Sequence, residues 1–231
     1  MKLRAHTLAS RATGLLAACA LVLTTVTVVS APMVRAQVRV DDLEQRDGLY
    51  YAAGESSPFT GEAETAGGSK GRIERGLFAG AWLTYYGSGA VETRAAYEDG
   101  KQVLFTVFFE SGARSSEMSF RDGVPHGPRR SWYESGSLRQ ENNFENGRPE
   151  GATRILDPNG NLLYLAEYSA GALDGEVSWY YPDGSKRWET HYANGERTGT
   201  WVQYGEDGSL FMQSSWKDGV LTERVNPHTG H

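Results

Sequence analysis

The sequence has almost no cysteine and little histidine. Its single cysteine, Cys19, lies in an N-terminal apolar stretch, so no cysteine follows it. This absence excludes disulfides and cysteine-based zinc sites from the remainder of the protein. After that stretch the chain has four histidines, His126, His191, His228 and His231, and none of them belongs to an HExxH motif. The sequence therefore predicts no metal site and no cofactor.

Acidic residues are missing from the first 36 positions. Three basic residues precede an apolar run at 12–32, and a small-residue pattern ends at Ala36. This arrangement is typical of a secretory signal peptide, which we expect to be cleaved after Ala36. Two alternatives stay open: the run is long enough for an uncleaved membrane anchor, and Cys19 could carry a lipid. We predict export to the periplasm or beyond, with membrane contact only through this segment.

The charge balance is acidic once the signal segment is removed. The full chain has 23 basic and 29 acidic residues, and residues 1–36 contain four of the basic ones (Lys2, Arg4, Arg11 and Arg35). The remainder has 23 − 4 = 19 basic against 29 acidic residues, a net charge of −10. Such a chain repels nucleic acid, so we predict no nucleic-acid partner.

Glycine, in contrast, is abundant and recurs at a fixed interval. One column of glycines has steps of 24, 23, 24, 24, 24 and 24 residues, and two further columns run parallel to it. Asn146-Gly147 and Asn194-Gly195 belong to this column and suit tight turns that require positive φ. The predicted structural turn glycines are Gly76, Gly100, Gly123, Gly147, Gly171, Gly195 and Gly219.

Aromatic residues keep the same period. Each unit has two runs of aromatic and β-branched residues separated by glycine turns, which is the pattern of a β-hairpin. The second run alternates, as in 138–144, which indicates a half-buried antiparallel strand. We predict an all-β fold: an elongated, twisted antiparallel sheet of stacked β-hairpin repeats without a conventional globular core.

The repeat period also divides the chain. We predict a signal peptide at 1–36, a linker at 37–47 and a degenerate first repeat or cap at 48–75. Six repeats of 23–24 residues follow at 76–218, and 219–231 is a partial repeat with a tail. The first unit lacks an aromatic strand, which leaves a cap and a disordered edge as its two interpretations.

The repeats resemble a known family. The phrase Tyr192-Ala-Asn-Gly-Glu-Arg-Thr-Gly-Thr-Trp201-Val-Gln-Tyr204 is similar to the bacterial variant of the MORN repeat. The opening phrases Gly48-Leu49-Tyr50-Tyr51 and Pro58-Phe59-Thr60-Gly61-Glu62 resemble the start of proteins labelled YwqK-family antitoxins. The resemblance covers roughly residues 47–223, and Leu104 departs from its glycine pattern. It implies a binding scaffold.

Adjacent aromatic pairs provide the candidate binding residues. Neighbours on a strand point to opposite faces, so one member of each pair is free to contact a partner. We therefore predict that a protein partner binds along an aromatic row. The candidate partner-binding residues are Trp82, Tyr85, Tyr86, Trp132, Tyr133, Trp179, Tyr180, Tyr181, Trp201 and Tyr204.

Catalytic chemistry has little support in the sequence. The many carboxylates, such as Glu141 and Glu189, fit a solvated sheet face better than a glycosidase pair. We predict that the protein is not an enzyme. Two alternatives to the protein-binding scaffold remain: a carbohydrate or cell-wall binding module, and an antitoxin that neutralises a toxin protein.

Overall fold

The computed structural model describes residues 37–225. The predicted signal segment with Cys19 lies outside this range, as do the tail histidines His228 and His231. Within the range the chain is built of strands, with one short 3₁₀ turn at Val40–Asp42 and no α-helix. A search of these residues finds no helix with the length and apolar character to cross a membrane.

Nineteen strands follow one another along the chain. They are β1 (Val38–Arg39), β2 (Glu44–Arg46), β3 (Leu49–Tyr51), β4 (Gly61–Glu64), β5 (Lys70–Glu74), β6 (Leu77–Tyr85), β7 (Val91–Glu98), β8 (Lys101–Phe108), β9 (Arg114–Arg121), β10 (Val124–Trp132), β11 (Leu138–Glu145), β12 (Arg148–Pro149), β13 (Gly151–Leu156), β14 (Leu162–Ser169), β15 (Ala172–Tyr180), β16 (Lys186–Ala193), β17 (Glu196–Tyr204), β18 (Leu210–Lys217) and β19 (Val220–Val225).

Seventeen of these strands form one sheet, and β2 and β3 form a separate pair. From β4 to β19 each strand pairs antiparallel with a sequence neighbour, while β1 joins β4 in a parallel pairing. The predicted all-β sheet of stacked hairpins is therefore confirmed. The parallel β1 makes the sheet mixed, because β1 reaches β4 through β2 and β3 instead of a direct hairpin turn. The segment 37–47, predicted to be a linker, contains β1 and β2.

The predicted turn glycines share one backbone conformation. All seven have φ between +76° and +93°, and the residue before each has φ between +46° and +52°. Two successive positive φ values define the tight hairpin turn for which Asn-Gly and Asp-Gly are best suited. Most such glycines also donate an N–H to the preceding repeat, as Gly147 does to Pro125 at 2.8 Å. The turn column thus joins successive hairpins.

Ala170 precedes the turn glycine Gly171, whereas five of the seven turns have Asn or Asp at this position. Its φ is +50°, a conformation that asparagine tolerates better than alanine does. We expect Ala170→Asn to raise the free energy of unfolding by about 1 kcal/mol. Asn146→Ala, the reverse change at the equivalent turn, is the matched control and should lower it by a similar amount. Urea unfolding followed by circular dichroism measures both, and equal stabilities would contradict this account of the turn.

The N-terminal end of the sheet holds a local hydrophobic core. Val40, Ala63, Ile73 and Trp82 are buried together, and Tyr50 is among the residues packed against them. Strands β4 and β5 supply Ala63 and Ile73, both fully buried. The first unit contains the paired strands β4 and β5, and we refer to this end of the sheet as the cap.

The two faces of the sheet differ in character beyond this cap. Tyr164 on β14 stands opposite Trp179 on β15, which stands opposite Trp188 on β16, so their side chains share one face. We call this the aromatic face; its rings are Phe105, Phe120, Phe144, Tyr164, Tyr168, Trp179, Trp188, Tyr192, Trp201 and Trp216. The opposite, polar face has Arg130, Glu141, Arg154, Glu176, Glu189 and His191.

Candidate functional site

The structure divides the ten candidate partner-binding residues among different environments. Trp82 is only 3% exposed and belongs to the N-terminal core. Its ring lies edge-on to Phe78 at 4.4 Å between centroids, and its Nε1 donates to the carbonyl of Arg72 at 3.2 Å. Trp82 is therefore a core residue and is not available to a partner.

Three of the candidate tyrosines tie neighbouring repeats together. The hydroxyl of Tyr181 donates to the carbonyl of Tyr204 at 3.0 Å, and that of Tyr133 donates to the carbonyl of Leu156 at 2.9 Å. Tyr86 makes the equivalent bond to Phe108 at 2.6 Å. Each bond spans 22 or 23 residues and links a repeat to the next one. This role was not predicted for the tyrosines, although their positions, two repeat periods apart (133 − 86 = 47 and 181 − 133 = 48), gave a signal for it.

Removing one of these hydroxyls should weaken the sheet. We expect Tyr181→Phe to lower the free energy of unfolding by about 0.5–1.5 kcal/mol, because it removes one hydrogen bond and leaves the ring in place. Tyr85→Phe is the matched control, since the side chain of Tyr85 is 44% exposed. Chemical unfolding of both variants measures the difference. If Tyr181→Phe lowered the free energy of unfolding no more than Tyr85→Phe does, the hydrogen bond between the two repeats would not stabilise the sheet.

Four further candidates occupy the ends of strands. Strand alternation places Tyr85, Trp132, Tyr180 and Tyr204 toward the polar face, opposite Trp179 and Trp201. Arg114 stacks over the ring of Trp132, 4.9 Å from its centroid. The candidate residues therefore do not form one continuous row.

Ion pairs organise the polar face. Glu141 accepts hydrogen bonds from Arg130 on one neighbouring strand and Arg154 on the other. These bonds lower the pKa of the Glu141 carboxyl. Cross-strand ion pairs of this kind are typical of a solvated sheet face. They account for the position of Glu141 without a catalytic role.

A second polar cluster brings together Glu176, Glu189 and His191, whose ligand atoms lie within 4.8 Å of one another. The three side chains could hold a metal ion, a possibility that sequence analysis did not predict. However, the ammonium of Lys186 lies 2.9 Å from Glu176 and 2.7 Å from Glu189. Hydrogen bonds from Ser178 and Lys186 lower the pKa of Glu176. Burial alone would lower the pKa of Lys186, yet its bonds to Glu189 and Glu176 raise it. The Lys186 ammonium thus already binds both carboxylates and would compete with a metal ion for them.

The aromatic face has a dense group of rings near the C-terminal end of the described range. Trp201 lies 5.9 Å from Tyr192 and 5.5 Å from Trp216 between ring centroids. Arg197 lies over both tryptophans, 4.3 Å from Trp201 and 4.8 Å from Trp216. Of these rings, only Trp201 was predicted as a binding residue. Tyr192 and Trp216 could have been predicted from the alternation of apolar residues along the second strand of each repeat.

The same face is partly open. Trp179 is 37% exposed although its ring packs against Tyr164 at 5.1 Å. Burial raises the pKa of Tyr164 to about 12, with Tyr168 adding to the shift. Among residues 37–225, the extensive contacts between elements are those between paired strands, so beyond the cap no second layer covers these rings.

A groove of about 360 Å³ crosses this group. Its lining residues are Trp179, Arg187, Trp188, Thr190 and Trp201. Thr190 is fully buried, and within the described residues neither its hydroxyl nor the indole Nε1 of Trp201 has a hydrogen-bond partner. Leaving such a buried group unpaired costs about 1–3 kcal/mol. Both atoms are buried and do not face a ligand. The three tryptophans of the lining, of which Trp179 is 37% exposed, make this groove the candidate binding site.

Comparison with known proteins identifies the repeat type. Residues 125–146 and 173–194 match the family described as the MORN repeat variant. The first match begins in β10 and ends in the turn after β11, while the second covers most of β15 and all of β16. No curated protein matches the chain. The two matches, each over one hairpin of the sheet, support a MORN-repeat protein.

Proposed function

We propose that this protein is an exported, non-enzymatic repeat scaffold that binds another protein on its aromatic face. The observation that supports this proposal is the uncovered group of rings around Trp179, which is 37% exposed in a sheet with one layer. Large exposed aromatic side chains are enriched where proteins meet, since they contribute apolar area at low cost in side-chain entropy. The polar face is an alternative surface, but Glu141, Glu176 and Glu189 on it are already ion-paired.

The repeat architecture favours the same function. Stacked hairpins form a long surface with regularly spaced side chains, and such surfaces suit extended contacts with a partner. MORN repeats are often interaction modules, which agrees with the two matched hairpins. The signal-like segment at 1–36 supports the exported location.

Two matched variants test the proposal. The first, Trp179→Ala with Trp188→Ala, removes two rings from the aromatic face; the second, Tyr85→Ala with Tyr180→Ala, removes two from the polar face. Each full-length variant serves as bait in affinity purification from the native host, and circular dichroism verifies folding. We expect the first variant alone to lose the partner recovered with the unaltered chain. Equal recovery with both folded variants would contradict the proposal.

The alternatives from sequence analysis have separate tests. A carbohydrate-binding module would be retained on purified cell-wall material, and the tryptophans of the groove are the observation in its favour. An antitoxin would neutralise a toxin encoded beside it, and only the YwqK-family resemblance favours this function. We rank the carbohydrate-binding module below the protein-binding scaffold because the groove has no carboxylate or amide among its lining residues in the described range. We rank the antitoxin below it because the resemblance alone favours that function.

A further inference from the structure

The aromatic face carries arginines that no carboxylate neutralises. Arg197 on β17 pairs with Tyr192, and Arg224 on β19 pairs with Ser214, so both side chains lie on this face. Arg187 lines the groove of the same face. All three arginines are exposed. Within residues 37–225 none of them forms an ion pair, whereas the arginines of the polar face do.

The strands around these arginines present no acidic residue on the same face. Strand pairing and alternation place the aspartates and glutamates of β14–β19 toward the polar face, as they do Glu176, Glu189 and Glu223. The aromatic face of these strands therefore combines rings with positive charge, although the chain after residue 36 is acidic. Electrostatic complementarity favours a partner surface of the opposite sign.

The guanidinium groups are placed to bind carboxylates. Arg197 lies over Trp201 and Trp216, at 4.3 and 4.8 Å from the ring centroids, and Arg187 lies over Tyr181 at 5.6 Å. Stacking occupies the flat side of a guanidinium and leaves the N–H groups at its edge free to donate. These donors match the two oxygens of a carboxylate. Because the rings already restrict the side chains, binding a carboxylate costs less side-chain entropy.

We infer that the aromatic face binds a protein segment with an apolar centre and carboxylates on both sides of it. This inference rests on the proposed function and names the chemistry of the partner. Arg187 is the second residue of β16, and Arg197 stands opposite Tyr192, near the other end of that strand. Five residue steps along β16 separate the two levels by about 16 Å. Trp179 and Trp188, which are opposite each other, lie between these levels.

Other anionic partners fit this surface less well. A nucleic-acid strand carries charge along its whole length, so much of it would meet the acidic remainder of the chain. An anionic membrane presents charge across a wide plane and meets the same repulsion. A protein segment concentrates its carboxylates at a few positions and offers apolar side chains to the exposed ring of Trp179.

Peptide binding to the full chain tests the inference. The probe is a capped peptide with three leucines between two pairs of glutamates, and calorimetric titration measures its dissociation constant. Arg187→Gln with Arg197→Gln should weaken binding about fivefold to thirtyfold, because two contacts to carboxylates are lost. Arg114→Gln with Arg139→Gln is the matched control, since these arginines also stack on aromatic rings but belong to earlier repeats. The control should bind normally, and circular dichroism verifies that both variants fold.

Changes to the probe and to the salt concentration separate charge from apolar contact. A peptide with lysines in place of the glutamates should not bind measurably. A peptide with serines in place of the leucines should bind about tenfold or more weakly, because it offers no apolar surface to the rings. Binding of the original peptide should weaken severalfold when sodium chloride rises from about 0.05 to about 0.5 M.

Several results would overturn the inference. They are failure of the acidic peptide to bind the unaltered chain, equal binding of the lysine or serine peptide, and binding that is indifferent to loss of the two arginines. Tighter binding of an oligothymidylate or of phosphatidylglycerol vesicles, with the same dependence on the arginines, would also overturn it.

Recovery of the native partner separates this failure from that of the proposed function. If recovery depends on Trp179 and Trp188 but not on Arg187 and Arg197, only the inference is wrong. If recovery depends on neither pair, the proposed function is wrong as well.

Discussion

Trp82→Ala is expected to lower the free energy of unfolding by about 3–5 kcal/mol, the range for removal of a buried aromatic side chain. The indole is 3% exposed and packs against Phe78 and Tyr97, at 4.4 and 6.5 Å between ring centroids. Its loss also leaves the Arg72 carbonyl without the indole hydrogen bond. Because each hairpin packs mainly on its neighbours, the damage should be greatest in β4, β5 and β6.

Urea unfolding measures this loss, and hydrogen exchange locates it. Tyr85→Ala is the matched control, three residues away on the same strand but 44% exposed, and should change stability by less than about 0.5 kcal/mol. Amides of β4–β6 should exchange faster in Trp82→Ala, while those of β15–β17 keep their protection. Equal effects of the two substitutions would show that the N-terminal cluster is not a core.

Gly71→Ala should be the most damaging single methyl addition among the glycines of the cap. A Cβ at this position would overlap the indole ring of Trp82, with the nearest atoms on the ring itself. Overpacking of this kind costs about 1–3 kcal/mol. Gly87→Ala is the matched control: nothing lies within 4 Å of its Cβ position, and neither glycine needs a positive φ.

A double variant separates this clash from other causes. When Trp82→Ala is already present, Gly71→Ala should cost much less, because the ring that it meets has gone. Thermal or urea unfolding of the four proteins gives the coupling energy directly. Strictly additive losses would place the effect of Gly71→Ala elsewhere, for example in the backbone of β5.

The repeat signal made most of the fold predictable. Turn positions such as Asn146-Gly147 and the alternation along 138–144 depend on local backbone geometry, which a sequence expresses directly. The cap was harder to predict. Residues 48–75 lack aromatic periodicity, and their fold depends on a cluster that joins Ala63 and Ile73 to Trp82 and to the distant Val40. Contacts between residues far apart in sequence leave no periodic pattern.

The candidate site was only partly predictable for a related reason. Adjacent aromatic pairs looked alike in sequence, yet Tyr181 bonds to the next repeat, while Trp179 remains open on the aromatic face. Which member of a pair is free depends on strand register and on the irregularity after Trp179. Trp188 was missed because the prediction used adjacent aromatic pairs and Trp188 has no aromatic neighbour in sequence, although Tyr164 holds the equivalent position one repeat earlier. Trp188 completes the groove opposite Trp179.

The most direct measurement follows the side chains of the six tryptophans. Each indole N–H gives its own NMR signal in the full chain, and the partner protein recovered from the native host is added stepwise. We expect the Trp179 signal to move most, because its ring is 37% exposed on the aromatic face, and the Trp188 signal to move with it. Those of Trp82 and Trp132 should stay in place. Shifts confined to Trp82 or Trp132, or no shift at all, would contradict binding on the aromatic face.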